Sequence, residues 1–499
     1  MEIELKLTLA PLAMRRLISS PLWSIWRTAD ARNRLSTLYF DTPEGDLLRE
    51  GVALRVRRSG RQWIQTVKGG GSALGGLHRR TETECAVGGP RPELAKVPAE
   101  LLKGALADPA LPARLRQVFE TRFERLARTV YTSSGAVIEV AFDRGSVIAG
   151  ALASPICEVE LELKAGQASD LLALARAVVR EGAWLDDTSK AARGYRLAWP
   201  ERAGARAPVA ARSAPASKPR DWHQLLVGAV ASGLAHLHGN AAGVRDKDVD
   251  PEYIHQMRVA TRRLRTVLTI ARRQSDHPLA SHLLVETAWL GRCLGPARDW
   301  DVMLGETLPA YIAAHGTPSG HTRLLADIGK ARQAAHQVAA DAAASVRYGE
   351  LVLDLLAWLE LPAPEESRKA AAPARQELAR CHRKVLRLGQ PELLVDDEAR
   401  HRLRLACKKL RYTAESLAPA FGARAVDRYV AALAQLQKSL GGLNDAAVAT
   451  MRLDSLPAGR AEVARRAIKR QLRQAALQKL ETLSTQWQAF TATRPFWER

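Results

Sequence analysis

The sequence predicts an α+β protein: an N-terminal antiparallel closed β-barrel, a tunnel with covering helices, followed by an all-α helical-bundle domain with an internal duplication. Three observations predict it. Strand-like runs up to about residue 165 alternate charged and apolar side chains. A stretch rich in Ala, Pro, Ser and Arg at 201–220 then gives way to long helical patterns, and two helical segments repeat one template at an offset of 146 residues. The expected domains are 1–200, a linker at 201–220, and 221–499 with repeat halves near 221–365 and 366–499.

The first strand, residues 1–9, places Glu2, Glu4 and Lys6 on one face and Ile3, Leu5 and Leu7 on the other, because successive strand side chains point to opposite sides. Leu12–Arg27 reads as a covering helix. A strand within Arg32–Thr42 ends at the turn signal Asp41-Thr42-Pro43. Val52–Arg58 and Trp63–Lys68 read as a hairpin, with Arg55 and Arg57 alternating against Leu54 and Val56, and Lys68 on the face of Ile64 and Thr66. Gly69-Gly70-Gly71 and Gly75-Gly76 suggest a flexible loop. Glu82 and Glu84 sit two apart.

From Pro90 to about Arg125 the pattern is Pro-broken and helical. A strand at Thr129–Thr132 pairs with Ala136–Phe142, where Glu139 and Asp143 flank Ala141. In Cys157–Lys164, Glu158, Glu160 and Glu162 alternate with apolar residues, and Leu171–Val179 has helical spacing. Acids cluster on some strands and bases on others, which suggests a closed sheet with a charged interior. Carboxylates converging from several strands are hard oxygen ligands for Mg²⁺ or Mn²⁺. Facing bases would hold an anion, as phosphoryl chemistry requires.

The 499 residues carry a net charge of +21, which predicts an acidic partner without choosing among nucleic acid, membrane and polyphosphate. Five cysteines without metal-finger spacing argue against a disulfide framework. No apolar run approaches the ~20 residues of a membrane helix, and the N-terminus lacks a signal-peptide pattern. The expectation is a cytoplasmic protein without membrane partners.

In the helical half, His255 is followed at 3, 7, 8 and 10 positions by Arg258, Arg262, Arg263 and Arg265; His401 is followed identically by Arg404, Lys408, Lys409 and Arg411. The offset persists to Arg298-Asp299 and Asn444-Asp445, so the half is read as duplicated. At about 100° per residue, His255, Arg258, Arg262 and Arg265 share one side of a helix while Met257, Leu264 and Leu268 share the other. Two such stripes facing each other suit a long anion with evenly spaced charges. Asp299 and Asp445 read as helix caps or as ion-pair partners that orient the bases.

Glu2-x-Glu4-x-Lys6, Tyr39-Phe40-Asp41-Thr42, Leu54-Arg55-Val56-Arg57, the acids around Glu82 and Glu158-Val159-Glu160 resemble the CYTH superfamily of triphosphate tunnel metalloenzymes over about residues 1–200. Gly75-Gly76-Leu77-His78-Arg79-Arg80 and Ser189-Lys190-Ala191-Ala192-Arg193-Gly194-Tyr195 resemble its bacterial inorganic triphosphatase branch. The second half resembles the CHAD family of α-helical domains over about residues 221–499.

The first resemblance implies metal-dependent hydrolysis of inorganic tripolyphosphate to pyrophosphate and phosphate, with Mg²⁺ or Mn²⁺. It implies Glu2, Glu4, Glu158 and Glu160 as metal ligands, then Glu82, Glu84 and Asp143, with Glu162 after them. Lys6, Arg55, Arg57, Lys68, Arg80, Arg125, Lys190 and Arg193 are implied as phosphate contacts, with Lys190, Arg55 and Arg57 catalytic among them. The CHAD resemblance implies binding of long-chain inorganic polyphosphate through His255, Arg258, Arg262, Arg263, Arg265, His401, Arg404, Lys408, Lys409 and Arg411, and with it association with polyphosphate granules. Two alternatives stay open: a polyphosphate-binding scaffold with little catalysis, and a tunnel enzyme acting on an organic triphosphate. Specific nucleic-acid binding is not expected, because the basic helices lack interleaved aromatics for base stacking.

Overall fold

The structure, a computed structural model, describes residues 2–204, 206–211, 219–246, 250–274, 279–364, 368–390, 396–421, 423–457 and 461–498. Its strands are β1 (Glu2–Thr8), β2 (Arg27–Asp41), β3 (Ala53–Ser59), β4 (Gln62–Leu74), β5 (Leu77–Val87), β6 (Arg116–Tyr131), β7 (Val137–Ala149), β8 (Leu152–Ala165) and β9 (Trp184–Leu185). Helices α1 (Pro11–Ile18), α2 (Asp46–Arg49), α3 (Leu111–Arg114), α4 (Ala168–Arg180), α5 (Lys190–Ala198) and α6 (Pro200–Ala203) accompany them. The rest is helical: α7 (Trp222–Arg245), α8 (Pro251–Gln274), α9 (Ala280–Val302), α10 (Leu308–His315), α11 (His321–Ala344), α12 (Val346–Leu359), α13 (Ala371–Leu388), α14 (Asp397–Leu417), α15 (Ala423–Asp454) and α16 (Glu462–Thr491).

These elements form two compact units. The first comprises Met1–Ala207 together with Ser345–Glu360; the second comprises Pro208–Ala344 and Leu361–Arg499. In the first unit the antiparallel strands run in the order β5-β4-β3-β2-β6-β7-β8-β1-β9, and a further β1–β5 pairing closes the ring. Strand alternation does the sorting. Leu5, Leu7, Val140, Phe142, Val159 and Leu161 point outward and are buried, beneath α1 and α4, whose Met14, Leu17, Leu171 and Val178 are buried in turn. The charged partners of the same strands point inward.

Three sequence expectations change. The helix expected over Leu12–Arg27 stops at Ile18, a 3₁₀ turn at Pro21–Ile25 follows, and β2 begins at Arg27. Proline at position 21 lacks the N–H that a continuing helix needs. The glycines at 69–71 are not a loop: β4 runs through them with a register shift, and the reversal falls at Gly75 and Gly76, both at positive φ. The segment expected to be helical to Arg125 holds short turns only as far as Arg114, and β6 starts at Arg116. Arg122, Arg125 and Arg128 therefore lie within a strand.

Helix α12 comes from the middle of the helical half, yet it packs against α4 of the first unit. Gly349 abuts Val179 so closely that a Cβ there would lie 2.6 Å from Val179 Cγ1. Ion pairs join Arg176 to Asp354 at 2.5 Å, Arg180 to Glu350 at 2.8 Å and Arg79 to Glu360 at 2.5 Å.

In the second unit α7-α8-α9 and α13-α14-α15 correspond at the 146-residue offset, as do α11 and α16. α8 packs between α7 and α9, α14 packs between α13 and α15, and α8 and α14 meet each other. In the 201–220 stretch, the Val209 N–H donates to Asn240 Oδ1 and Asn240 Nδ2 donates back to the Val209 carbonyl, both at 3.0 Å. Positions 212–218 lie outside the described residues.

Candidate functional site

The ring of strands encloses a cavity of about 750 Å³ lined by the inward charged faces of its strands. Register fixes which side chains meet. Thr8, Glu158, Asp143 and Arg125 stand in one row across β1, β8, β7 and β6, and Lys6 and Glu160 in the next. Glu4, Glu162 and Glu139 form a third row beside them. Helix α5, capped at its start by the Ser189 hydroxyl, carries Lys190 to this wall.

Asp143, Glu158 and Glu160 offer carboxylate oxygens within 4.8 Å of one another, the one such group among the described residues. Lys190 Nζ lies 2.7 Å from Asp143 and from Glu160, and also pairs with Glu158. Arg125 reaches Asp143 at 2.6 Å and Glu160 at 2.5 Å. Lys6 pairs with Glu158 at 2.8 Å and donates to the Thr188 carbonyl at 2.5 Å. Arg193 lies 3.3 Å from Glu158 and 3.5 Å from Asp186.

Burial alone would lower the Lys190 pKa, but the Asp143, Glu158 and Glu160 carboxylates outweigh it and hold the ammonium well above its ordinary range. Burial likewise works to raise Glu160, yet Lys190, Arg125 and Lys6 hold it well below the usual carboxylate range. Glu158 is lowered against its burial by Lys190 and Lys6. Lys190, Glu158 and Glu160 are therefore charged at neutral pH. The converging carboxylates are the donor set that a hard divalent cation takes.

A second group sits elsewhere on the wall. Arg55 meets Glu82 at 2.8 Å, Lys68 meets Glu82 at 2.5 Å, and Arg57 meets Glu84 at 3.3 Å, with Thr66 donating to Glu84 at 3.1 Å. Burial and the neighbouring Arg55 lower Arg57. Glu82 and Glu84 thus associate with bases and are not part of the Asp143, Glu158 and Glu160 group. The side chains of Glu2 and Arg80, both expected at the site, lie outside the described residues; their backbones pair across β1 and β5.

Two residues escaped the sequence reading of the site. Glu139 lines the cavity in the row of Glu4 and Glu162, a position that its four-residue spacing from Asp143 already implied. Asp186, half-buried and pulled low against the cost of desolvation by Lys6, sits in a loop where no periodicity points to it.

In the helical unit the ten template positions divide. Arg258, Arg262, Arg404 and Lys408 converge from α8 and α14, each in the electrostatic field of others in the group. Arg258 donates to the Gly295 carbonyl at 2.7 Å and lies 3.4 Å from Asp299; Arg404 lies 3.6 Å from Asp445. The two aspartates sit inside α9 and α15, so they are ion-pair partners and not caps. Burial, then Arg262 and Arg404, brings Lys408 down to about 7, and burial with Arg262 brings Arg258 down to about 10. Among the described residues no carboxylate ion-pairs with Arg262 or Lys408.

His401 Nδ1 lies 2.9 Å from Asn444 Oδ1, and burial with Arg298 lowers His255. Arg263 and Arg411 share Glu415 at 3.2 and 3.4 Å, Lys409 neighbours Arg273, Arg380 and Lys384, and Arg265 is exposed. These four bases are outside the set that converges at the centre and have other partners or surroundings.

Comparison with known proteins follows the same division. Residues 1–195 match the CYTH domain and residues 228–454 the CHAD domain. An inorganic triphosphatase of Haemophilus influenzae is 34% identical over 165 residues, 33% of this chain and 46% of that protein. The chain thus spans less than half the length of that relative. The crystal structure of the CHAD domain of the plant Ricinus communis is 31% identical, with a TM-score of 0.52, covering 58% of this chain and 98% of the other. A Hippeastrum protein with a dominant triphosphatase activity covers 39% of this chain and 95% of its own at 19% identity, with a TM-score of 0.28.

Proposed function

We propose, from the premise that the chain joins a CYTH domain to a CHAD domain, that it hydrolyses inorganic tripolyphosphate to pyrophosphate and phosphate with a divalent metal, and that its helical unit binds inorganic polyphosphate. The observation that carries this reading is the strand-lined cavity of about 750 Å³, where Glu4, Glu139, Glu160 and Glu162 face Lys6, Arg55, Arg57, Arg125 and Lys190, with the buried Asp143 and Glu158 clustered against Glu160. Glu4, Asp143, Glu158 and Glu160 are the residues that would hold Mg²⁺ or Mn²⁺, with Glu139 and Glu162 adjoining them. Such an ion supplies neutralisation of phosphate oxygens and acidification of water.

The chain's own residues do the rest. Lys6, Arg125, Lys190 and Arg193 on one side, and Arg55, Arg57 and Lys68 on the other, exchange carboxylate partners for phosphate oxygens and hold the anion extended. Water adds to a terminal phosphorus, one P–O–P bond breaks, and pyrophosphate departs. The aromatic rings at the cavity support an inorganic substrate: Tyr39 stacks on Phe119 at 4.4 Å, and Tyr195 meets Phe119 edge-on at 5.1 Å, so these rings are engaged in packing. In the helical unit, Arg258, Arg262, Arg404 and Lys408 outnumber Asp299 and Asp445, which supports an anion as their missing counter-charge.

The experiment is phosphate release from tripolyphosphate by the full chain with Mg²⁺ or Mn²⁺, beside ATP and thiamine triphosphate, with Glu160→Gln as control. Metal-dependent turnover that prefers tripolyphosphate and is lost in the variant supports the reading. Faster turnover of an organic triphosphate, or none at all, overturns it.

A further inference from the structure

The two copies of the helical template place their bases at matching positions, yet the structure neutralises them unequally. Arg263 of α8 pairs with Glu415 of α14 at 3.2 Å, and Arg411 shares that carboxylate at 3.4 Å. At the 146-residue offset, Lys409 corresponds to Arg263, Arg265 to Arg411 and Thr269 to Glu415. A hydroxyl therefore stands where the other copy has a carboxylate, and Thr269 donates it to the Arg265 carbonyl of its own helix at 2.6 Å. Among the described residues no carboxylate ion-pairs with Lys409 or Arg265.

More positive charge gathers at the same end. Burial, then Arg273, Arg380 and Lys384, depresses Lys409. The carboxylate beside them, Glu377, is buried and already held by Arg380 at 2.5 Å and Arg273 at 3.2 Å. Arg265 also follows Arg262 by three residues, about 4.5 Å further along the same side of α8. The uncompensated end thus continues the central basic group, whereas the opposite end is interrupted by Glu415.

We infer that Lys409, Arg265 and Lys384 form a second anion subsite, which takes the phosphates of a long polyphosphate chain running on from Arg258, Arg262, Arg404 and Lys408. The chain leaves by the Thr269 end and avoids the Glu415 end. The inference rests on the proposed polyphosphate binding by the helical unit. It adds a direction, and a preference for chains too long for the central group alone.

The test measures dissociation constants of the full chain for long-chain polyphosphate at several salt concentrations, with each variant's folding checked by thermal melting. Thr269→Glu, which installs the second copy's acid in the first, weakens binding about tenfold. Glu415→Thr, the reverse exchange, strengthens it about threefold. Lys384→Ala, at an exposed position, weakens binding about threefold and lowers the slope of log affinity against log salt by about one, as one lost phosphate contact should. Affinities for Thr269→Glu and Lys384→Ala within twofold of the parent overturn the subsite. If Arg262→Ala/Lys408→Ala weakens binding about 100-fold in that same experiment, the central reading survives its loss. A parent chain that binds no polyphosphate at all overturns both.

Discussion

The tunnel and the helical unit both gather arginine and lysine, but they dispose of that charge in opposite ways. In the tunnel, Lys6, Arg125, Lys190 and Arg193 are paired with Asp143, Glu158 and Glu160. Between α8 and α14, Arg258 and Arg404 have one aspartate each at 3.4 and 3.6 Å, and Asp299 also serves Arg452 at 2.9 Å. A balanced site holds its geometry without ligand and suits a reaction in which charge must be exchanged. An unbalanced one is a standing attraction for an anion, and suits capture.

The contrast breaks most sharply at Lys190. Lys190→Ala leaves three clustered carboxylates without their shared ammonium, and phosphate release should fall about 10³-fold while polyphosphate affinity stays within twofold. The variant also moves acid unfolding. Glu160 is held below its ordinary pKa, so its contribution to stability is present at neutral pH and is lost as pH falls through the folded value. Without Lys190 that loss begins at higher pH, which urea unfolding between pH 3 and 7 would read. The converse variant, Arg262→Ala/Lys408→Ala, should weaken polyphosphate binding about 100-fold with turnover of tripolyphosphate unchanged. Equal damage to both activities in either variant would erase the distinction between the units.

A smaller effect tests the imbalance itself. Lys408, brought down to about 7 by burial and its basic neighbours, is half neutral near pH 7 before an anion arrives. Binding then takes up a proton, so affinity should decline as pH rises above 7, by up to about tenfold per unit. Lys408→Arg, charged throughout, should flatten the profile. In the free protein the pH dependence has the same sign as for Glu160, because both folded-state values are depressed: charging Lys408 costs stability below pH 7, and the cost fades between about 7 and the ordinary lysine value.

The sequence made the tunnel legible because period-two alternation puts Glu158 and Glu160 on one face, and pairing of β8 with β7 and β1 brings Asp143 and Lys6 beside them, with Arg125 next on β6. The glycine run at 69–71 does not choose between loop and strand by itself, because glycine's freedom serves a bulged strand as well as a loop. Among the helical bases, spacing alone assigned Arg265 to the stripe of Arg258 and Arg262. A helical wheel gives the face but not the point at which the partner helix crosses, and only the structure separates the central group from Arg263, Arg265, Lys409 and Arg411. Nothing local marked α12 as part of the first unit, since Leu351, Val352, Leu355 and Leu356 would suit any buried helix.

That helix offers the mildest and most selective test. It is joined in sequence to α11 and α13 of the second unit, yet its Asp354 pairs with Arg176 of α4 at 2.5 Å, both side chains less than a third exposed. Asp354→Asn should cost about 1 kcal/mol. The informative quantity is which activity reports that cost. In urea titrations of the full chain, tripolyphosphate hydrolysis follows the first unit and polyphosphate binding the second. A lowered midpoint for hydrolysis alone means that α12 works energetically as a piece of the tunnel domain, and that a fragment cut at residue 207 lacks a packing element. A lowered midpoint for binding alone returns α12 to the helical repeat from which its sequence comes.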